Sequence, residues 1–401
     1  MAGGVVVVGA GLGGLRAAEG VRAAGYTGPV TIVGDEPHLP YNRPPLSKEA
    51  LKTGIEADAL HFRRRGSVDD VEWRLGAGVD HVDVSIPAVV LTDGSVVPFD
   101  GLVAATGIRT RRLPIPGPEA GRYGLRTMAD AIDLRSHITP GSHLLVLGAG
   151  FIGCEVAATA IGLGASVNVV ALDPEPMVRP LGPVVGAALR KRHEEHGVHF
   201  HLGRTVKQFE GDGRVERAVL DDGTVLPADV VLEAIGSIPN TEWLADTGAD
   251  LADGVLVDDH LRIVGVPFPA VAVGDVARYA NPRFDDVPRR IEHWNLPTET
   301  GKRAGATLAA MLNGTDLPAD VFAPLPAFWS DQYQHQLQSY GQPGLGNEVV
   351  VVEGDLTGPS IVEYRLDGDV VGVLGIDRTA ALIPWRKALL ERPVRRVDAD
   401  S

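Results

Sequence analysis

One ten-residue element limits the possible folds of this chain more than any other, because it occurs twice. Val-Val-Val-Val-Gly-Ala-Gly-Leu-Gly-Gly at residues 5–14 returns as Leu-Leu-Val-Leu-Gly-Ala-Gly-Phe-Ile-Gly at residues 144–153. Each copy is an apolar run of strand length, then a glycine turn, then an alanine-rich stretch of helical character (residues 15–24 and 154–163). A second apolar run follows each, at residues 29–33 and 166–171. A β-turn-α-β unit that recurs at this separation points to two duplicated domains rather than a solenoid. Within each turn the glycines divide the work. Gly9 and Gly148 permit the tight turn, Gly11 and Gly150 let backbone approach a pyrophosphate, and Gly14 and Gly153 let helix and strand pack closely. The unpaired N–H groups and partial positive charge of the helix start suit phosphates. Asp35, just past the second strand of the first unit, can accept hydrogen bonds from a ribose.

Two such cradles imply two dinucleotides, and the economical pairing is a tightly held flavin with an exchanging nicotinamide. The match between the halves extends beyond the turns. Residues 72–100 and 203–227 both read as short alternating strands, with turns at Asp93-Gly94 and Asp221-Asp222-Gly223. Each leads into a closing strand, at residues 101–106 and 229–235. A short buried-type strand at residues 270–273 and a helix at 298–312 follow. Alternating strands near 349–352, 361–365 and 370–375 and a helix near 384–390 then suggest a separate C-terminal domain. The expected fold is α/β: two Rossmann-like dinucleotide-binding domains of the glutathione-reductase type plus a C-terminal α+β domain. The expected boundaries are 1–108 with 241–316 for the flavin (FAD) domain, 109–240 for the NAD(P) domain, and 317–401.

Composition narrows the function. With 37 Lys+Arg against 52 Asp+Glu, the net charge is −15, which argues against nucleic acid as a partner. The basic run Arg63-Arg64-Arg65 reads as a solvated loop. The single cysteine, Cys154, excludes an intramolecular disulfide, a multi-cysteine metal site and a redox-active dithiol; no metal is expected. Its place after a packing glycine marks it as a small buried hydrophobe, and one thiol fits a reducing cytoplasm. No leader precedes the first strand, and the best membrane-span candidate, residues 144–165, is broken by glycines and Glu155. Neither a membrane nor export is expected.

Residues 40–48, Pro-Tyr-Asn-Arg-Pro-Pro-Leu-Ser-Lys, resemble the signature of the flavin-dependent, pyridine-nucleotide ferredoxin reductases that serve cytochromes P450 and Rieske-type oxygenases, relatives of apoptosis-inducing factor. Further resemblances follow in order, from about residue 5 to about 390: Ala105-Thr106-Gly107, Leu125-Arg126-Thr127, Val273-Gly274-Asp275, the Arg-Ile-Glu-His-Trp segment ending in Glu292, His293 and Trp294, and the Phe-Trp-Ser-Asp-Gln segment from Phe328. The resemblance implies that Arg43 and Lys48 lie over the flavin. It implies that Arg126 contacts the flavin dinucleotide, that Asp275 binds the ribityl chain, and that Glu292, His293 and Trp294 flank the isoalloxazine. It also implies that Glu155 lies near the nicotinamide beside Phe151. Lys48, Glu155 and Trp294 are the expected catalytic residues. Leu12, Val79, Ile152 and Gly236 complete the expected cofactor contacts.

The implied activity is hydride transfer from NAD(P)H to FAD, followed by single electrons to a small iron–sulfur ferredoxin. NADH-using members often carry Glu where Ala171 stands. Here Asp173 can take that role, and no Lys or Arg occurs between Ala165 and Arg179, so NADH is preferred over NADPH. Because ferredoxins of this kind are usually acidic, docking needs a local basic patch, with Arg289, Arg290 and Arg303 as candidates. Two other readings share the fold and the missing dithiol: a reductase of a small molecule (monodehydroascorbate or a quinone), and a redox-sensing flavoprotein like apoptosis-inducing factor.

Overall fold

The computed structural model describes residues 3–54 and 57–394. Each glycine-turn unit builds a five-stranded parallel sheet. The first runs Ala270–Ala272, Gly101–Ala104, Val5–Val8, Val30–Gly34, Glu72–Leu75; the second runs Arg122–Tyr123, Val230–Glu233, His143–Leu147, Ser166–Ala171, Val198–Leu202. The same spatial order holds in both, with the glycine-turn strand central. Their central strands are apolar on both faces (Val5–Val8 and Leu144–Leu147 are at most 3% exposed) because helices cover one side and a β-flap the other. The outermost strand is recruited differently: Ala270–Ala272 returns from late in the chain, whereas Arg122–Tyr123 arrives before its unit begins. Each sheet carries a three-stranded antiparallel flap, Val79–Asp83/Ala88–Leu91/Val96–Pro98 and Val206–Glu210/Arg217–Leu220/Val225–Pro227. The two chain crossings between the units pair with each other as antiparallel strands Ile108–Thr110 and Ser237–Pro239.

Helix Leu12–Ala23 packs against helix Leu296–Asn313 almost backbone to backbone: a Cβ on Gly305 would lie 2.6 Å from the Ala17 carbonyl. That approach lets Thr300 Oγ accept the Gly274 N–H at 3.0 Å, fixing the Gly274-Asp275 turn. The C-terminal domain is a five-stranded antiparallel sheet (Ala327–Gln332, His335–Gly341, Asp369–Ile376, Ser360–Leu366, Glu348–Gly354) closed by helix Ile383–Glu391. Its first hairpin goes beyond the strands expected from sequence. The turn holds no glycine, and Tyr333 takes φ +57°, an uncommon conformation for a bulky residue. Two contacts hold it there: Tyr333 stacks on His196 at 3.7 Å and its hydroxyl meets His193 Nδ1 at 2.9 Å. Helices Met128–His137 and Val178–Glu195 also lacked a sequence expectation. Among the described residues, no helix is long and apolar enough to cross a membrane.

Candidate functional site

Both glycine turns open on one cavity of about 1050 Å³, at the upper end of the roughly 300–1,000 Å³ usual for ligand pockets. The three turn glycines differ as their roles require. Gly9 has φ +117°, and a Cβ there would meet the Ala105 carbonyl at 2.2 Å; on Gly14 it would meet the Gly9 carbonyl at 2.0 Å. On Gly11 a Cβ would meet nothing within 4 Å. Gly148, Gly153 and Gly150 repeat the pattern, with clashes at 2.3 and 2.2 Å and then open space. Backbone N–H groups at each helix start therefore face empty room, which is the arrangement a pyrophosphate needs.

Residues from distant parts of the sequence wall the cavity. Thr127 caps helix Met128–His137 in a reciprocal box with Asp130, and Asp130 also accepts the Arg126 N–H. Arg126 so fixed reaches Asp275 at 2.9 Å. Arg43 pairs with Glu36 at 2.5 Å and donates to the Arg126 carbonyl and to Tyr41 Oη. Tyr41 donates to Glu36 and accepts the Met128 N–H, and burial raises the affinity of its hydroxyl for its proton. The 40–51 segment also drives Tyr41, Leu46 and Leu51 into the core of the second unit. It is a structural bridge as well as a cavity wall.

That bridge carries Lys48 to Glu155. Their side chains are 7% and 5% exposed and 3.1 Å apart. Ser47 Oγ and Ser330 Oγ donate to the same carboxylate at 2.5 and 2.7 Å. Burial pushes the Glu155 carboxyl above the usual carboxylate range, against the opposing pull of Lys48. Glu155 is thus a buried, partnered acid rather than a solvent-facing one. His293 lines the cavity, and its buried Nδ1 has no partner. Burial lowers its pKa to about 4, so the ring stays neutral near neutral pH. Trp294 stands 39% exposed at the rim, edge-on to Trp329 at 5.2 Å, with its N–H donating to Asn42 Oδ1. Phe151 stacks edge-on with Phe328 at 4.7 Å. An orphaned imidazole nitrogen, two open glycine turns and the exposed Asp35 carboxylate together fit a flavin dinucleotide and a nicotinamide dinucleotide.

Of the residues expected from sequence, Gly9, Gly11, Leu12, Asp35, Arg43, Lys48, Ala105, Thr106, Gly107, Arg126, Gly150, Phe151, Ile152, Glu155, Gly236, Gly274, Asp275, Glu292, His293 and Trp294 line the cavity. Gly14, Gly148 and Gly153 sit behind it as packing positions. Val79 lies away from it: it pairs with Leu91 in the first flap and packs on the first core. Asp173 is off the cavity wall, and the fold brings Arg179 to within 3.2 Å of it. The strand end is therefore not free of cations. Ala171 closes the strand buried, at 7% exposure. The basic-patch candidates are spoken for. Arg289 pairs with Asp285, Arg290 with Asp253 and Glu292, and Arg303 is buried against Asp320 and Phe322. Glu36, Tyr41, Ser47 and Ser330 are the site groups with no earlier assignment. Cys154 is buried in the core shared with the C-terminal domain, its thiol pushed up to about 12 by burial.

Comparison with known proteins defines the class. The chain belongs to the pyridine nucleotide-disulphide oxidoreductase family, matched over residues 3–301, and its end matches the reductase C-terminal domain over residues 327–400. Among relatives, it is 36% identical to rhodocoxin reductase of Rhodococcus erythropolis over 96% of this chain and 89% of that one. It is 37% identical to the ferredoxin–NAD(+) reductase component of the anthranilate 1,2-dioxygenase system of Burkholderia cepacia, over 91% and 88%. The fold superposes on putidaredoxin reductase in its covalent complex with putidaredoxin with a TM-score of 0.88 at 33% identity, covering 97% of this chain and 93% of that one.

Proposed function

We propose that this chain is an FAD-containing, NADH-dependent ferredoxin reductase that supplies a small iron–sulfur ferredoxin of a cytochrome P450 or Rieske-type oxygenase. The observation that carries this is the pairing of two open glycine cradles on one cavity with a lone, buried, unreactive cysteine. The bound cofactors supply hydride acceptance and one-electron release. With no dithiol, electrons leave for an outside acceptor. We assign the flavin to a unit built from residues 1–108 and 241–316, the nicotinamide dinucleotide to 109–240, and the electron exit to the rim formed by Trp294 and the 317–401 domain. Gly9, Gly11 and Asp35 hold the flavin's adenosine side and pyrophosphate. Arg126 and Asp275 orient its chain, and His293 offers its free nitrogen. Gly150, Phe151 and Ile152 face the nicotinamide. Asp173, held by Arg179, carries the preference for NADH. The relatives' names, which carry NAD(+), support that preference.

The exposed Arg63-Arg64-Arg65 run replaces the earlier docking candidates. It adjoins Phe62, which lines the cavity and approaches Trp294 at 6.5 Å; Arg65 pairs with Glu19 and Arg64 lies over Trp73, and the Arg63 side chain has no partner among the described residues. An acidic ferredoxin suits such a patch on a chain that is otherwise acidic. Purified protein is expected to be yellow, to bleach with NADH, and to reduce cytochrome c at least tenfold faster when ferredoxin is added, with a rate that falls as salt rises. Efficient turnover with a quinone and no ferredoxin requirement would transfer the assignment to the small-molecule reductases.

A further inference from the structure

Ferredoxin reduction leaves a remainder. The reduced nicotinamide gives up a hydride, which is one proton and two electrons, whereas two oxidised ferredoxins take one electron each and no proton. The balance is one reduced nicotinamide plus two oxidised acceptors giving one oxidised nicotinamide, two reduced acceptors and one proton. That proton starts inside a walled cavity and must reach water.

We propose that Glu155, Lys48 and Asp331 form the exit for this proton, with Asp331 as its outer station. This inference rests on the reading above that the acceptors take electrons alone. Glu155 lines the cavity and is buried, and Lys48 sits between it and Asp331, at 3.1 Å from the first carboxylate and 3.9 Å from the second. Asp331 is 37% exposed, so the trio runs from cavity to solvent. Its geometry follows from one strand. In Ala327–Gln332 alternate residues point to opposite faces, so Ser330 turns inward to donate to Glu155 while Asp331 turns outward beside Lys48. The charge arithmetic also fits. One ammonium is shared by two carboxylates, so Glu155 can take a proton without leaving Lys48 buried and unpaired, a state that is otherwise costly. The burial that favours the protonated form of Glu155 acts in the same direction.

Other groups around Glu155 do not compete. On its own helix the Cys154 thiol is locked in its protonated form, and Thr159 is committed to the Ser47 carbonyl. Ser47 and Ser330 donate to the carboxylate, and Gln332, a poor proton carrier, donates its amide N–H to Ser330 while its amide oxygen accepts from His193 Nε2. Glu49 and Lys52 lie on the exposed face of helix Glu49–Thr53. On the neighbouring strand His143 is taken by Asp229.

The test uses full-length, flavin-loaded wild type, D331N, D331E and E155Q. First, with no nicotinamide present, the infrared band of a buried protonated carboxyl is followed against pH; the band missing from E155Q belongs to Glu155. Removing the Asp331 charge should move its midpoint down by about one pH unit, since a nearby negative charge favours the protonated form, and D331E should restore it. Second, NADH and excess ferricyanide are mixed with a pH-indicator dye. In wild type, proton appearance should keep pace with ferricyanide loss. In D331N it should lag at least tenfold, and D331E should close the lag. An unmoved midpoint, or protons that keep pace in D331N, overturns the proposal. Ferricyanide stands in for ferredoxin, so failure to reduce a ferredoxin would remove the partner assignment without touching this result.

Discussion

The two glycine-turn units share strand order, flap and cradle, yet they are furnished differently. Around the first, Arg126, Asp275, His293 and the Glu36–Arg43–Tyr41 cluster converge from four separate parts of the chain. Around the second, the strand end offers a buried Ala171, a Leu172 that is 72% exposed, and an Asp173–Arg179 pair whose arginine is 82% exposed. The turn itself recognises a dinucleotide. How long the dinucleotide stays is set by walls that lie outside the βαβ unit. On the proposed assignment, the resident cofactor gets walls and the exchanging one gets an open bench.

The sharpest break of this comparison is a pair of matched substitutions. Gly14→Val and Gly153→Val put a side chain into the same clash, at 2.0 and 2.2 Å from a carbonyl. Gly14→Val is expected to abolish flavin retention, read as loss of the yellow absorbance on gel filtration. Gly153→Val should stay yellow and lose NADH affinity by about 100-fold or more. A colourless Gly153→Val would show that the two frames are not separable.

Acid should separate the regions next. Burial holds His193, 1% exposed between the second unit and the C-terminal domain, at about 4 against 6.5 when unfolded. The unfolded chain binds the extra proton first. The stability from keeping this ring neutral is therefore full above about pH 6.5 and lost as the pH falls towards 4, by at most about 3 kcal/mol. Urea midpoints across that window should fall, and His193→Gln should flatten the fall.

Smaller effects sharpen the contrast. Arg126→Ala removes a charged hydrogen bond to Asp275 and should weaken flavin binding by about tenfold or more, measured by reconstitution of the apoprotein. Arg179→Ala, on the open bench, should change the KM for NADH only a few-fold and leave flavin retention as it was.

The units and their glycine turns were legible in the sequence because each is a local pattern; the other cavity-lining positions named from the sequence, such as Arg43, Arg126 and Asp275, came through the family resemblance. Apolar strand, glycine turn and alanine-rich helix are neighbours along the chain. The Ser47–Glu155 and Ser330–Glu155 bonds were not legible, since they span 108 and 175 residues and a lone serine carries no periodic signal. Asp173 looked free of cations because Arg179 is six residues away in sequence; the start of the next helix folds it back. Two of the basic-patch candidates failed for a related reason, since the fold brings Asp253 to Arg290 and Asp320 to Arg303, while Arg289 is taken by Asp285 four residues before it. The first C-terminal hairpin lacked its usual glycine marker because Tyr333 occupies the turn and is held there by two histidines.

The paired crossings between the units have a mechanical consequence. Two separate tethers would let one body tumble against the other. Here Ile108–Thr110 and Ser237–Pro239 form a zipped ribbon, and Asn240 bolts it at one end: it donates its side-chain amide to the Thr106 carbonyl and its backbone N–H to the Gly107 carbonyl, and it accepts from Thr106 Oγ and from Arg109. A ribbon resists shear but bends across its flat face. Any swing of the second unit must therefore carry both crossings together, and with them the 40–51 segment seated in its core.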